Sequence, residues 1–137
     1  MKREEAIAVL VNYRMEQAFS AIEDAKCLEE GKGSVRSIIN RSYYAMFYAL
    51  LALLLVEGKS YSRHSGVITA FNTFFVRPGQ LPKSLSVDMH KVFELCQEHD
   101  YKITSNPSDD EAHKTIRVAE HFVKAIRQFL AANKKQL

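Results

Sequence analysis

Apolar positions along this chain recur at spacings of three and four, with no stretch of strict alternation, and that rhythm predicts helix throughout. Over residues 2–30, Val11, Met15, Ala18, Ile22 and Ala25 form one stripe on a long amphipathic helix. The segment "EGKGS" interrupts it, with Gly31 and Gly33 as stop signals and Ser34 as the N-cap of a second helix. That helix is predicted from about Val35 to Glu57, closing at Gly58. "SYSRHSG" opens a shorter third helix burying Val67 or Ile68, Phe71, Phe74 and Phe75. "RPGQLP" cannot continue a helix, because Pro78 lacks a backbone donor and Gly79 frees the chain to turn. A fourth helix starts at Pro82, turns Leu85, Met89, Val92 and Leu95 inward, and runs to about Tyr101. In "SNPSDDE", Ser108 and Glu111 form a capping box, with Asp109 and Asp110 near the positive end of a fifth helix. Ala112, Ile116, Ala119, Val123, Ile126 and Leu130 are its buried positions. The fold predicted is all-α, an antiparallel bundle of about five helices in one domain, residues 1–137.

The second helix breaks the amphipathic rule. At about 100° per residue, Ile39, Tyr43, Met46, Phe47, Leu50 and Leu54 share one side, while Ser37, Arg41, Tyr44 and Tyr48 share the other. From Ala49 onward, in "ALLALLLV", the second side also turns apolar through Ala52 and Leu55. A helix apolar all round is buried all round. Either a second protomer covers it, or the helix is central and surrounded by its own chain. The expectation carried forward is a two-fold homodimer with the latter half of this helix at or near its interface.

Composition narrows the setting. A chain of 137 residues that is 47% hydrophobic can fold without disulfide or metal staples. The balance of 19 basic and 16 acidic residues, a net +3, permits an anionic partner without demanding one. Cys27 and Cys96 have no metal-type spacing and fit a reducing cytoplasm. "MKREEAIAVL" has no secretory pattern, and the uncharged run between Arg41 and Glu57 falls short of the roughly 20 apolar residues of a membrane span. A cytoplasmic domain with no membrane segment is expected.

Arg41, Tyr44 and Tyr48 sit where the polar side of the second helix meets its buried zone. A guanidinium there requires a carboxylate or an anionic ligand, and tyrosine rings can stack a base or sugar. The same residues also suit an Arg–Asp pair orienting two helices, with the tyrosines as packing. His64, between Arg63 and Ser65 at the start of the third helix, can hold a phosphate beside Arg41 or simply cap the helix. Asp100 and Tyr101 can complete that pocket, or Asp100 can neutralise Arg41. Lys114, Arg117, His121 and Lys124 line one face of the fifth helix, either an RNA-backbone track or a solvated face. His90, Glu94 and Glu98 are spaced to hold a metal, but nothing completes the set, so no metal and no cofactor are expected. "EGKGS" lacks the strand and spacing of a phosphate loop.

Taken in order, "NRSYYAMFYALLALL", "SRHSGVITAFNTFFV" and "VFELCQEHDY" resemble the HEPN domain family, and the similarity extends over nearly the whole chain from "AIEDAKCLEEGKGSVRSIINRSYYAMF". The R-x-x-Y-Y of the second helix and the H-S-G of the third carry most of it. The resemblance implies an α bundle that usually dimerises and has business with nucleotides or RNA. Many members are ribonuclease toxins, and many are encoded beside a minimal nucleotidyltransferase that serves as antitoxin. The resemblance places their cleavage chemistry in an Arg and a following His with four to six residues between them, paired across the dimer. Here no arginine has a histidine at that distance; Arg117 and His121 come nearest, with three residues between them. Cys96 stands where related sequences tend to carry an arginine ahead of Asp100 and Tyr101. The expectation is therefore a binding module for nucleotide or RNA, working with a nucleotidyltransferase partner. Its site would be Arg41, Tyr44, Tyr48, His64, Ser65, Asp100 and Tyr101. A metal-independent ribonuclease with a displaced site, or a structural partner with no ligand, is the alternative.

Overall fold

The apolar stripe of the first segment becomes α1, Arg3–Glu30, with Val11, Met15, Ala18, Ile22 and Ala25 all buried. This computed structural model describes residues 2–61, 63–101 and 107–133, leaving aside the side chains of residues 98–101. α1 stops where the Gly31 N–H bonds the Cys27 carbonyl. The left-handed residue of the turn is Lys32, with φ 57°, and neither neighbouring glycine adopts that conformation. Gly33 is required for a different reason: a Cβ there would lie 2.9 Å from the Leu28 side chain and 3.1 Å from its carbonyl. So tight a turn returns the chain antiparallel, and α2, Val35–Val56, begins with Ser34 Oγ accepting from the Ser37 N–H at 3.1 Å.

α2 ends in a Schellman arrangement. Gly58, at φ 69°, lets Lys59 N–H reach the Leu54 carbonyl and Gly58 N–H the Leu55 carbonyl. α3 covers His64–Phe71 and widens without a break into a π turn, Asn72–Val76. Val67, Ile68, Phe71 and Phe75 are buried, and Phe74 is half-buried. α4 spans Lys83–Tyr101, with Leu85, Met89, Val92 and Cys96 buried and Leu95 only partly so. α5, Asp109–Ala132, starts with Ser108 Oγ accepting from the Glu111 N–H and buries every position of its predicted stripe. No strand occurs among the described residues.

α2 is the centre of the bundle and touches α1, α3, α4 and α5. Its own chain buries Ala49, Leu50, Ala52, Leu53 and Leu54 completely or nearly so, leaving Leu51, Leu55 and Val56 half-buried. Central placement therefore accounts for most of the all-round apolar pattern, and those three side chains keep part of their surface exposed. By length and composition α2 is apolar enough to cross a membrane, but 67% of that stretch is buried inside the bundle. It is the core helix of the bundle.

Candidate functional site

Arg41 leaves α2 half-buried, and two of its five N–H groups, on Nε and one Nη, donate to Asn40 Oδ1 at 3.3 and 3.1 Å. Its Cζ lies 5.2 Å from the Tyr44 ring centre, a cation–π contact that holds the guanidinium along the aromatic row. Among the described residues no carboxylate pairs with it. Tyr48 continues the row one turn on, its ring centre 5.9 Å from that of Tyr44. The guanidinium and the two phenols thus share one ridge, as the helical angles predict.

The α3 N-terminus brings His64 against this ridge. Its ring stacks on Phe47 at 4.1 Å between centres and meets Tyr44 edge-on at 5.7 Å. Tyr43, buried on the core side of α2, places its hydroxyl 2.7 Å from His64 Nδ1. That hydrogen bond fixes the imidazole. Burial lowers the His64 pKa from its ordinary value, so the ring is neutral near pH 7. Burial also pushes the Tyr43 hydroxyl well above the usual phenol range, with Cys96 and Tyr44 adding to the shift. A phenol that stays protonated can donate to Nδ1 or accept from it, and the choice sets whether Nε2 presents an N–H or a lone pair to a ligand.

A cavity of about 170 Å³ opens beside the pair. Asn40, Tyr43, Tyr44 and His64 form one wall, and Phe93, Cys96 and Gln97 of α4 form the other. Asn40 also lines a shallow groove of about 440 Å³ with Arg36, Ser37 and Arg41, so it is shared by the cavity and a surface bearing two arginines. A larger depression, about 630 Å³ between α1 and α5, shares no residue with the cluster. Its arginine, Arg127, already lies 5.0 Å from the Phe19 ring.

Of the predicted site residues, the fold joins Arg41, Tyr44, Tyr48 and His64. Ser65 is exposed. Asp100 and Tyr101 belong to the last turn of α4, and their side chains lie outside the described residues. Lys114, Arg117, His121 and Lys124 are all exposed along α5, where Lys114 pairs with Asp110 at 3.2 Å. His90 engages Asn72 at 3.0 Å, and no group of three metal-ligating side chains occurs among the described residues. The sequence reading missed Tyr43, Asn40 and the α4 wall. One signal was available for Tyr43: a tyrosine at a core position must find a partner for its hydroxyl.

An all-α bundle whose central helix carries an arginine and a tyrosine row, met by a histidine from the next helix, defines a small helical domain class with a polar-aromatic face. The chain belongs to the HEPN domain family, which it matches over residues 11–129. It is 36% identical over 121 residues to a UPF0332 protein of Thermotoga maritima, covering 88% of this chain and 91% of the relative. A Methanocaldococcus jannaschii protein that carries the name "Putative toxin" is 34% identical over 116 residues, covering 85% of each chain. A UPF0332 protein of Archaeoglobus fulgidus is 30% identical over 125 residues, covering 88% of this chain and 95% of the relative.

Proposed function

We propose that this chain is a HEPN-type binding module for RNA or nucleotide, the toxin-like member of a pair with a minimal nucleotidyltransferase, acting in the cytoplasm as a homodimer. One observation carries the reading: the Arg41 guanidinium lies over Tyr44, whose ring in turn meets those of Tyr48 and His64, with two N–H groups spent on Asn40 and no carboxylate partner among the described residues. A half-buried cation in that state favours an anion, and the rings beside it favour a base. The relative named as a toxin supports the biological role, and the partner follows from the family's habit of pairing. The half-buried Leu51, Leu55 and Val56 support a dimer face on α2.

The test is titration of a short oligoribonucleotide and of mononucleotides against wild type and Arg41→Ala, with thermal melting to confirm that both are folded. Binding weakened at least about ten-fold in the variant is expected, as for loss of a charge-assisted contact of roughly 1.5–3 kcal/mol. Equal and negligible binding by both would defeat the reading. Sedimentation at two protein concentrations tests the dimer, and a single-subunit mass at both would remove it.

The Tyr43–His64 bond favours a second reading, RNA cleavage. With Nδ1–H donating to the Tyr43 oxygen, Nε2 keeps its lone pair and can take the proton of a ribose 2′-hydroxyl. The 2′-oxygen then attacks the adjacent phosphorus, a cyclic phosphate forms, and the leaving 5′-oxygen takes a proton from water. Cleavage that survives chelator and disappears in His64→Ala supports this. Absence of any cleavage by the purified protein removes it.

A further inference from the structure

At about 170 Å³ the cavity beside the Tyr43–His64 pair is smaller than the roughly 300 Å³ at which small-molecule pockets begin. It takes part of a nucleotide and leaves the phosphate outside. The groove of about 440 Å³ lined by Leu28, Arg36, Ser37, Asn40 and Arg41 adjoins it, with Asn40 in both linings. The polar side chains of this groove present mainly donors, because their acceptors are engaged. Asn40 Oδ1 accepts from Arg41 at 3.3 and 3.1 Å, which leaves the Asn40 NH₂ to donate and three of the five Arg41 N–H groups unspent. Ser34 Oγ donates to Ser37 Oγ at 2.8 Å, so Ser37 keeps its own hydroxyl proton for another acceptor. Arg36 is exposed in the first turn of α2, which holds no acidic residue, and among the described residues it has no ion pair. Asp24 lines a separate cavity of about 470 Å³ with Arg41 but pairs with neither arginine.

We propose that this groove seats the phosphomonoester of a nucleotide, with Arg36 and Arg41 as a two-guanidinium clamp and Ser37 and Asn40 as neutral donors. This rests on the nucleotide-binding reading above and names the chemical form that the site selects. Charge decides between a terminal phosphate and an internal one. A phosphodiester within a strand carries one negative charge and two free oxygens. A phosphomonoester carries about 1.5 to 2 negative charges near pH 7 and offers three acceptor oxygens. Two unpaired arginines and two further donors match the monoester, and guanidinium forks suit its paired oxygens. Leu28 supplies the one apolar lining residue, and the Arg41 contact with Tyr44 holds that guanidinium at the junction with the aromatic row. Leu51 lies about 22 Å further along α2 from Arg36 at 1.5 Å per residue, which separates the groove from the proposed dimer face.

The experiment titrates matched pairs at one salt concentration: UMP against uridine, and a uridine pentaribonucleotide with a 5′-phosphate, a 3′-phosphate or hydroxyls at both ends. The proteins are wild type, Arg36→Ala, Arg41→Ala and Arg77→Ala, the last removing an equal charge from an exposed residue outside the groove. Thermal melting confirms that each is folded. A phosphate-bearing member is expected to bind about ten-fold tighter than its hydroxyl counterpart, as for a charge-assisted contact. A gain confined to UMP assigns the site to free nucleotides, and a gain in a pentamer assigns it to an RNA end. Arg36→Ala removes the gain and Arg77→Ala retains it. Equal affinity with and without the terminal phosphate, a gain that survives Arg36→Ala, or an equal loss for all ligands in that variant overturns the clamp. If Arg41→Ala still weakens binding in those cases, the binding reading stands alone. If wild type binds none of the five, both fall.

Discussion

Replacing Tyr43 by Phe isolates one hydrogen bond. Tyr43 is 2% exposed, and its ring packs against Phe47 and Phe93 at 6.0 and 5.8 Å between centres, contacts a phenylalanine keeps. What disappears is the hydroxyl 2.7 Å from His64 Nδ1. A protein hydrogen bond contributes about 0.5–1.5 kcal/mol net, and the imidazole nitrogen left behind is only partly reachable by water, so the total loss is about 1–2 kcal/mol. For a domain of this size that is ~4–8 °C in Tm. Urea and thermal melts at pH 8 read the loss, and the same substitution in a His64→Ala background reads its source. There Tyr43→Phe costs less than about 0.5 kcal/mol, because the partner is already gone. The pH profile gives an independent check. The folded state resists protonation of His64, so the unfolded chain takes the proton first. Stability is full above the ordinary histidine value of 6.5 and falls as the pH drops through it toward the lowered folded value. His64→Ala loses that part of the slope. A Tyr43→Phe protein within about 0.3 kcal/mol of wild type, or an equal loss with and without His64, refutes the hydrogen bond as the element that fixes the ring.

Two further predictions concern charge. Glu120 accepts from Lys26 across α5 and α1, and the Lys26 hydrogen bond holds its pKa below the ordinary 4.5. That stability is present above 4.5 and is lost as the pH falls through the folded value; Glu120→Gln flattens the acid limb of a melting profile by up to about 1 kcal/mol, the scale of a partly exposed pair. If RNA also follows α5, Arg117→Ala/Lys124→Ala lowers the slope of log affinity against log salt by about 1.4, at roughly 0.7 per phosphate contact on a single strand. An unchanged slope assigns that exposed stripe to solvent.

The helices were legible because burial here follows simple periodicity. Every predicted stripe residue of α1 and of α5 is buried, and Ser34, Gly58 and Ser108 mark element ends by the chemistry that named them. The departures arise where one segment must satisfy another. Lys32 rather than a glycine takes the left-handed turn, while Gly33 is needed for its close approach to Leu28. The π turn at Asn72–Val76 lies within a run of phenylalanines buried to different degrees. It has no signature in spacing alone. On α2 the pattern announced burial on all sides but not by what, since a periodicity carries no information about which element arrives from outside.

The same limit explains why the missing Arg/His spacing says less about this site than it first implies. A motif of an arginine followed within a few residues by a histidine finds only pairs that lie close together in the sequence. Arg41 and His64 belong to different helices, 23 positions apart in the chain. Yet each contacts Tyr44, the guanidinium at 5.2 Å and the imidazole at 5.7 Å between ring centres. The turn through Gly58 and the start of α3 do what a helical repeat does elsewhere: they bring a cation and a nitrogen base to one aromatic surface. A search by spacing cannot find such a pair, because the distance that matters is set by the packing of α3 on α2. Tyr43 is the residue that makes the placement definite, since the same side chain fills the core and orients the histidine.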